Sequence, residues 1–147
     1  MSGDSPTWRT GIAIEETPEG NRVVVSRRID APPERAWAVL VDTRRWPEWG
    51  PSVRDVETHP PRIEEGSTGR IRTVFGFWLP FTVTRLSEWG WAWRIWGVTA
   101  TGHRVTPEGS SCRVGFEVPL YALPYLLVCW VALRRIESLA TAPQRSD

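Results

Sequence analysis

Hydrophobic positions recur with two different periods along the chain, and the switches between them lay out its elements. RVVVSRRI (Arg22–Ile29) is rich in β-branched residues and reads as a strand. Upstream, IAIEE (Ile12–Glu16) alternates weakly and can form a short strand. TPEG at Thr17–Gly20 then fits a type I turn, with Pro second and Gly fourth, and the same four letters return at Thr106–Gly109. From Pro33 the period lengthens. Pro33 suits a first helical position, and Trp37, Leu40 and Val41 form one stripe, so a short helix is expected to Val41. Asp42 can cap a second, shorter helix through TRRW, which Pro47, Gly50 and Pro51 end. Six short runs follow: VRDVET, GRIRTVF, FTVTRL, WAWRIW, TGHRV and CRVGFEV. With Gly, Pro or Ser between them, they predict an antiparallel meander. At Leu123–Ala142 the spacing of Cys129, Leu133, Ile136 and Ala140 is helical, and Arg134, Arg135, Glu137 and Ser138 form its polar side. The first half of that helix is apolar all round, so it is expected to be embedded, with the sheet wrapped around it.

Turn positions set the facing of the strands. A four-residue loop at Pro107–Ser110 pairs Val105 with Cys112 and His103 with Val114. Thr101, His103, Val105, Cys112, Val114, Phe116 and Val118 then share the inner face, because period-two alternation separates buried from wet. A turn at Ser87–Gly90 puts Ser87 opposite Trp91, Arg85 opposite Trp93 and Val83 opposite Ile95. Phe81, Val83, Arg85, Trp91, Trp93 and Ile95 are then inward, while Thr82, Thr84, Ala92, Arg94 and Trp96 are outward. Trp89 belongs to the turn. An inward arginine and histidine among indoles imply an interior that is not solid, since a charge in an apolar core is costly unless paired or solvated.

Composition narrows the function. The 147 residues suit one domain, and a net charge of +1 gives no pull toward nucleic acid. All 18 basic residues are arginine, scattered rather than massed. Two cysteines without a CxxC make neither a disulfide scaffold nor a zinc motif. His59 and His103 lie far apart with no carboxylate or thiol at ligand spacing, so no metal and no cofactor is expected. No GxSxG, P-loop or GxGxxG occurs. GSSC at Gly109–Cys112 reads as a turn entering a strand. The N-terminus shows no apolar signal region, and the fourteen-residue apolar run Leu120–Leu133 is too short to span a bilayer. A cytoplasmic protein without a stable membrane span is therefore expected. That run has a second reading as a membrane-touching helix, against which its one-sided polar half argues.

VVVSRRIDAPPERAWAVLVDTRRWPEWGPSVRDVE resembles the opening of the START-like, Bet v 1-like (SRPBCC) superfamily of ligand-binding and polyketide cyclase/dehydrase domains. Ile29, Asp30, Ala31, Pro32, Pro33, Glu34, Trp37, Asp42, Trp46, Pro47 and Trp49 carry the match. The resemblance runs from about Arg22 to Ala142 and implies an α+β helix-grip fold. In it a seven-stranded antiparallel sheet curves around a long C-terminal helix, with two short helices after the first strand. The implied organisation is an N-terminal tail holding a short strand (1–20), a ligand-binding domain (21–142) and a C-terminal tail (143–147). The family places a deep apolar cavity between sheet and helix. Here the inner tryptophans are unusually bulky for it, and the last helix is short.

On this reading the chain binds a lipid- or polyketide-like hydrophobic molecule. Trp78, Phe81, Val83, Arg85, Trp91, Trp93, His103, Phe116, Tyr125 and Trp130 are the expected lining. The alternative is an aromatase-type cyclase/dehydrase acting on such a ligand without metal or cofactor, with His103, Arg85, Tyr121 and Tyr125 as candidate catalytic groups. A third reading is a partner domain with a filled core. Each candidate also has an ordinary role. His103 can be a hydrogen-bonded core histidine, Arg85 can be turned outward by a bulge, and the tyrosines can be amphipathic packers. Trp46 and Trp49 are expected to close the core. Oligomeric state is not legible in the sequence.

Overall fold

The computed structural model describes residues 9–143. Eight strands form one antiparallel sheet: β1 (Thr10–Thr17), β2 (Gly20–Ile29), β3 (Val53–Thr58), β4 (Thr68–Thr73), β5 (Trp78–Leu86), β6 (Gly90–Ile95), β7 (Val98–Glu108) and β8 (Ser111–Val118). Their order is β1-β2-β8-β7-β6-β5-β4-β3. Helices α1 (Pro33–Val41) and α2 (Trp46–Trp49) follow β2, and a 3-10 segment (Leu120–Tyr125) leads into α3 (Leu126–Thr141). This is the helix-grip arrangement with one strand more than expected. The weak IAIEE alternation belongs to a full strand that pairs with β2 from Thr10↔Arg27 to Thr17↔Gly20. Residues 1–8 and 144–147, parts of the expected tails, lie outside the described residues.

Local chemistry explains the element ends. Pro33 occupies the first turn of α1, where its missing N–H costs nothing. Asp42 accepts from the Arg44 amide at 3.0 Å and so caps the 3-10 turn Thr43–Arg45 ahead of α2. The β7–β8 loop is tighter than expected: Glu108 pairs with Ser111, Val105 with Val114 and His103 with Phe116. Gly109 supplies the positive φ of 67° that so short a turn needs. The register therefore moved by two residues, which leaves every side chain on its expected face. Thr101, His103, Val105, Cys112, Val114, Phe116 and Val118 are all buried.

The tryptophan hairpin turns where expected, with the Ser87 amide bonded to the Gly90 carbonyl at 2.8 Å. Its register differs by an odd number near the tip. Leu86 pairs with Trp91, Arg85 with Ala92 and Val83 with Trp93, with a bulge between Val83 and Arg85. That single extra residue sends Arg85 to the outer face while Val83 and Phe81 stay inside. There it forms two hydrogen bonds with Glu19, at 2.7 and 3.0 Å, and approaches Glu117 at 3.5 Å. Arg104 binds Glu15 at 2.9 Å and lies 3.7 Å from Glu117. A Cβ at position 102 would stand 2.3 Å from Glu117 Oε1, so a larger residue than Gly102 has to displace that carboxylate within the network.

Helix α3 lies across the concave face and buries Cys129, Ala132, Leu133, Ile136 and Ala140. Its first half is not embedded all round, as its sequence suggested. Leu127 is 76% and Trp130 39% exposed on its outward side.

Candidate functional site

Half of the interior is an aromatic block. Helix α2 is too short to stand alone and is pinned by its own indoles: Trp46 donates to the Leu40 carbonyl at 2.9 Å and Trp49 to Val39 at 3.1 Å. The Trp46 ring stacks on Trp91, with centroids 5.2 Å apart and planes at 2°. Trp91 stacks in turn on His103 at 3.9 Å, and Phe116 meets His103 edge-on at 4.9 Å. Phe81 packs against Trp46 and Trp93. Trp91, Phe81, Val83 and Phe116, expected to line a chamber, are packed into this block. Trp46 and Trp49 close the core, as expected. Trp89, at the hairpin turn, packs edge-on against Trp37 of α1 at 5.9 Å.

The other half is open. A cavity of about 340 Å³ lies between the sheet and the 3-10 segment, within the range of small-molecule sites. Trp93 bounds it on the side of the aromatic block, and Ile71, Leu79 and Ile95 come from the sheet. Val53, Val98, Pro119 and Ala122 complete its apolar wall. Thr99, Ala100 and Thr101 all reach it although they are consecutive. Regular alternation forbids that. The register shift opposite Ala92 and Arg94 permits it by turning an extra β7 residue inward.

Polar groups are few here. Ser52, Thr73, Thr99, Thr101 and Tyr125 are the polar residues of the wall. Thr101 Oγ1 accepts from Trp93 Nε1 at 3.2 Å and lies 3.1 Å from His103 Nε2. Burial drives the His103 pKa down to about 3, and the Arg85 charge on the opposite face of the sheet adds to that. The imidazole is therefore neutral at ordinary pH. Its Nδ1 and the Trp91 Nε1 are buried without a hydrogen-bond partner. A second void of about 20 Å³ touches His103, Thr101 and Trp93, large enough for about one water.

The expected site residues thus divide. Trp93 and Tyr125 line the cavity, and His103 sits just behind it. Arg85 does not, for the bulge reason above. Trp78 has the wrong parity: Leu79, Phe81 and Val83 point in, so Trp78 points out, beneath the Arg70 guanidinium at 4.4 Å. Trp130 faces outward, with Arg134 over its ring at 5.3 Å. Tyr121 and Tyr125 sit at the mouth but bind the protein itself. Tyr121 Oη donates to the Thr99 carbonyl, and Tyr125 Oη lies 2.6 Å from Ser52 Oγ. Among the described residues no three His, Cys, Asp or Glu side chains gather as metal ligands.

Residues 21–136 match the family model described as "Polyketide cyclase / dehydrase and lipid transport". The chain belongs to this family. Solved structures share its fold. CalU16 from Micromonospora echinospora superimposes with a TM-score of 0.61 at 17% identity, covering 90% of this chain and 85% of that one. Ms6760 from Mycobacterium smegmatis gives 0.57 at 15% identity, covering 92% and 100%. StfQ, a di-domain aromatase/cyclase of the steffimycin biosynthetic pathway, gives 0.56 at 16% identity, covering 80% of this chain and 50% of that one. At these identities the likeness is one of fold. No curated protein matches the chain in sequence at a significant level. Among the described residues of this family member, no helix is long and apolar enough to cross a membrane.

Proposed function

We propose that this polyketide cyclase/dehydrase and lipid-transport family member binds one small hydrophobic molecule in the cavity beside Trp93. The observation that carries the reading is the wall itself, apolar apart from a few hydroxyls. A guest loses apolar surface to an apolar pocket and finds two inner hydroxyls, that of Thr101 and that of Thr73, the latter buried without a partner. With Nε2 protonated, His103 donates to Thr101 and leaves its hydroxyl proton free for a ligand oxygen. With Nδ1 protonated, Thr101 donates to His103 instead. The 3-10 segment is held across the mouth by two exposed tyrosine hydrogen bonds, which are cheap to exchange for water.

The family's cyclase and dehydrase chemistry needs an acid or base on the reacting atoms. His103, neutral and screened by Thr101 and Trp93, is poorly placed for that, and Arg85 is outside. Binding is therefore favoured over turnover. The test is titration with naphthol, read by tryptophan fluorescence and calorimetry. One molecule should bind per chain, and Ala100→Phe, which takes up part of the cavity, should weaken binding at least about tenfold. If the native protein shows no response up to naphthol saturation, the binding reading falls.

A further inference from the structure

Three uncharged runs of sequence meet around the cavity mouth. They are Thr73–Thr84 between two arginines, Ile95–Gly102 between Arg94 and His103, and Val118–Leu133 between Glu117 and Arg134. Each run supplies the cavity and the outside at once. Thr73 and Leu79 line the cavity, while Phe75 and Phe77, at the intervening hairpin tip, are 82% and 67% exposed. Ile95 and Val98 line it, while Trp96 at the next tip is 74% exposed. Pro119 and Ala122 line it, while Leu120, Tyr121 and Leu123 are exposed. Exposed apolar side chains this numerous, and gathered on one rim, mark a contact surface.

Trp96 sharpens the point. It has φ 55° and is followed by Gly97 at 76°, the two left-handed positions of a tight hairpin turn. Asparagine or aspartate is at home in the first of these, and a bulky residue is strained there. Nothing in the core requires this indole, since its ring stands in water. Turn preference and packing both argue against a tryptophan here, so what favours it lies outside the chain.

The flanking charge identifies the occupant. Arg54 and Arg94 are exposed and Arg72 half-buried beside the rim, and none has a carboxylate partner among the described residues. Arg70 is paired with Glu57 at 2.7 Å. On β3, β4 and β6 these four arginines face two carboxylates, Asp55 and Glu57. An apolar tip flanked by arginines in excess of carboxylates fits an anionic lipid surface: rings enter the acyl boundary and guanidiniums stay with phosphates.

We propose that this rim docks on an anionic lipid bilayer, so that the cavity mouth opens into its apolar layer. The docking surface stands on its own exposed residues; only its use as a loading port rests on the binding function proposed above.

The test is flotation of the full chain with phosphatidylcholine vesicles, with and without phosphatidylglycerol. The protein should float with the anionic vesicles and release as salt is raised. The combined variant Phe75→Ser, Phe77→Ser, Trp96→Ser should bind them at least about tenfold more weakly. None of the three lines the cavity, so this variant should keep its native circular dichroism and its naphthol titration. Failure of the native chain to float overturns the proposal. So does flotation that is equal on neutral vesicles, unmoved by salt, or unchanged in the variant. Sedimentation velocity provides the other arm: a dimer that the variant abolishes, without vesicle binding, assigns the rim to a second copy and also overturns it. Flotation without naphthol binding removes the cavity reading and leaves the docking surface. Naphthol binding without flotation does the reverse.

Discussion

Replacing His103 tests the electrostatics of the interior directly. The imidazole is 1% exposed, and its pKa falls from the ordinary 6.5 to about 3. Folding therefore binds fewer protons than unfolding wherever the pH lies between those values. The sign follows: stability is complete above pH 6.5 and is lost as pH falls, because the unfolded chain takes up a proton that the native state refuses. Each pH unit inside the window costs about 1.4 kcal/mol. Between pH 7 and pH 5 the loss from this one group is about 2 kcal/mol, a sizeable share of a typical domain's stability. Urea unfolding at both values measures it. The pH slope should shrink by about 2 kcal/mol in His103→Gln relative to the native chain, whatever the substitution costs at pH 7. His59 cancels in the comparison. If the variant is too unstable to measure, the imidazole NMR signals of the native chain give the same answer. Equal slopes, or a His103 resonance titrating near its ordinary value, would refute the reasoning.

Two further outcomes follow from groups away from the cavity. Arg85→Ala strands the buried Glu117 carboxylate with Arg104 alone, and should cost roughly 2–3 kcal/mol in chemical denaturation. Adding Glu117→Gln should recover more than half of that, and a single-variant cost near zero would show the network to be ornamental. The Cys112 and Cys129 thiols are pushed up to about 11 and about 12, chiefly by burial. Ellman's reagent should therefore label them only as fast as the native protein opens, and rapid labelling of either at neutral pH would contradict their placement.

Much of the fold was legible because turns and parity are local properties. The first TPEG, SEWG and the Asp42 cap sit where their chemistry puts them; the second TPEG does not, because Thr106–Glu108 extend β7 and the chain turns at Gly109 and Ser110. The inner face of β7 and β8 survives that register shift because the shift is even. The bulge at Val83/Arg85 is open in the sequence only as an alternative that nothing local selects. No glycine or proline marks it, and the ion pairs with Glu19 and Glu117 that reward it join distant parts of the chain. It alone decides that Arg85 is outside. The shift opposite Ala92/Arg94 was equally silent, so Thr99 and Ala100 were missed as wall residues. Leu79 was missed needlessly, since it shares parity with Phe81; the same rule excludes Trp78. Trp130 was misassigned because an apolar helix half suggests burial on every side, whereas part of that half faces outward at the rim.

The interlocked rings of Trp46, Trp91 and His103 set unequal stiffness on the two flanks of the interior. That flank holds a void of only about 20 Å³ and so has little slack in which to reshape itself. On the binding function proposed above, a guest larger than the resting volume is accommodated by swinging the Leu120–Tyr125 stretch away from β3 and β7. Size selection and entry then become a single mechanical step, limited by how far that stretch can travel before α3 is pulled with it.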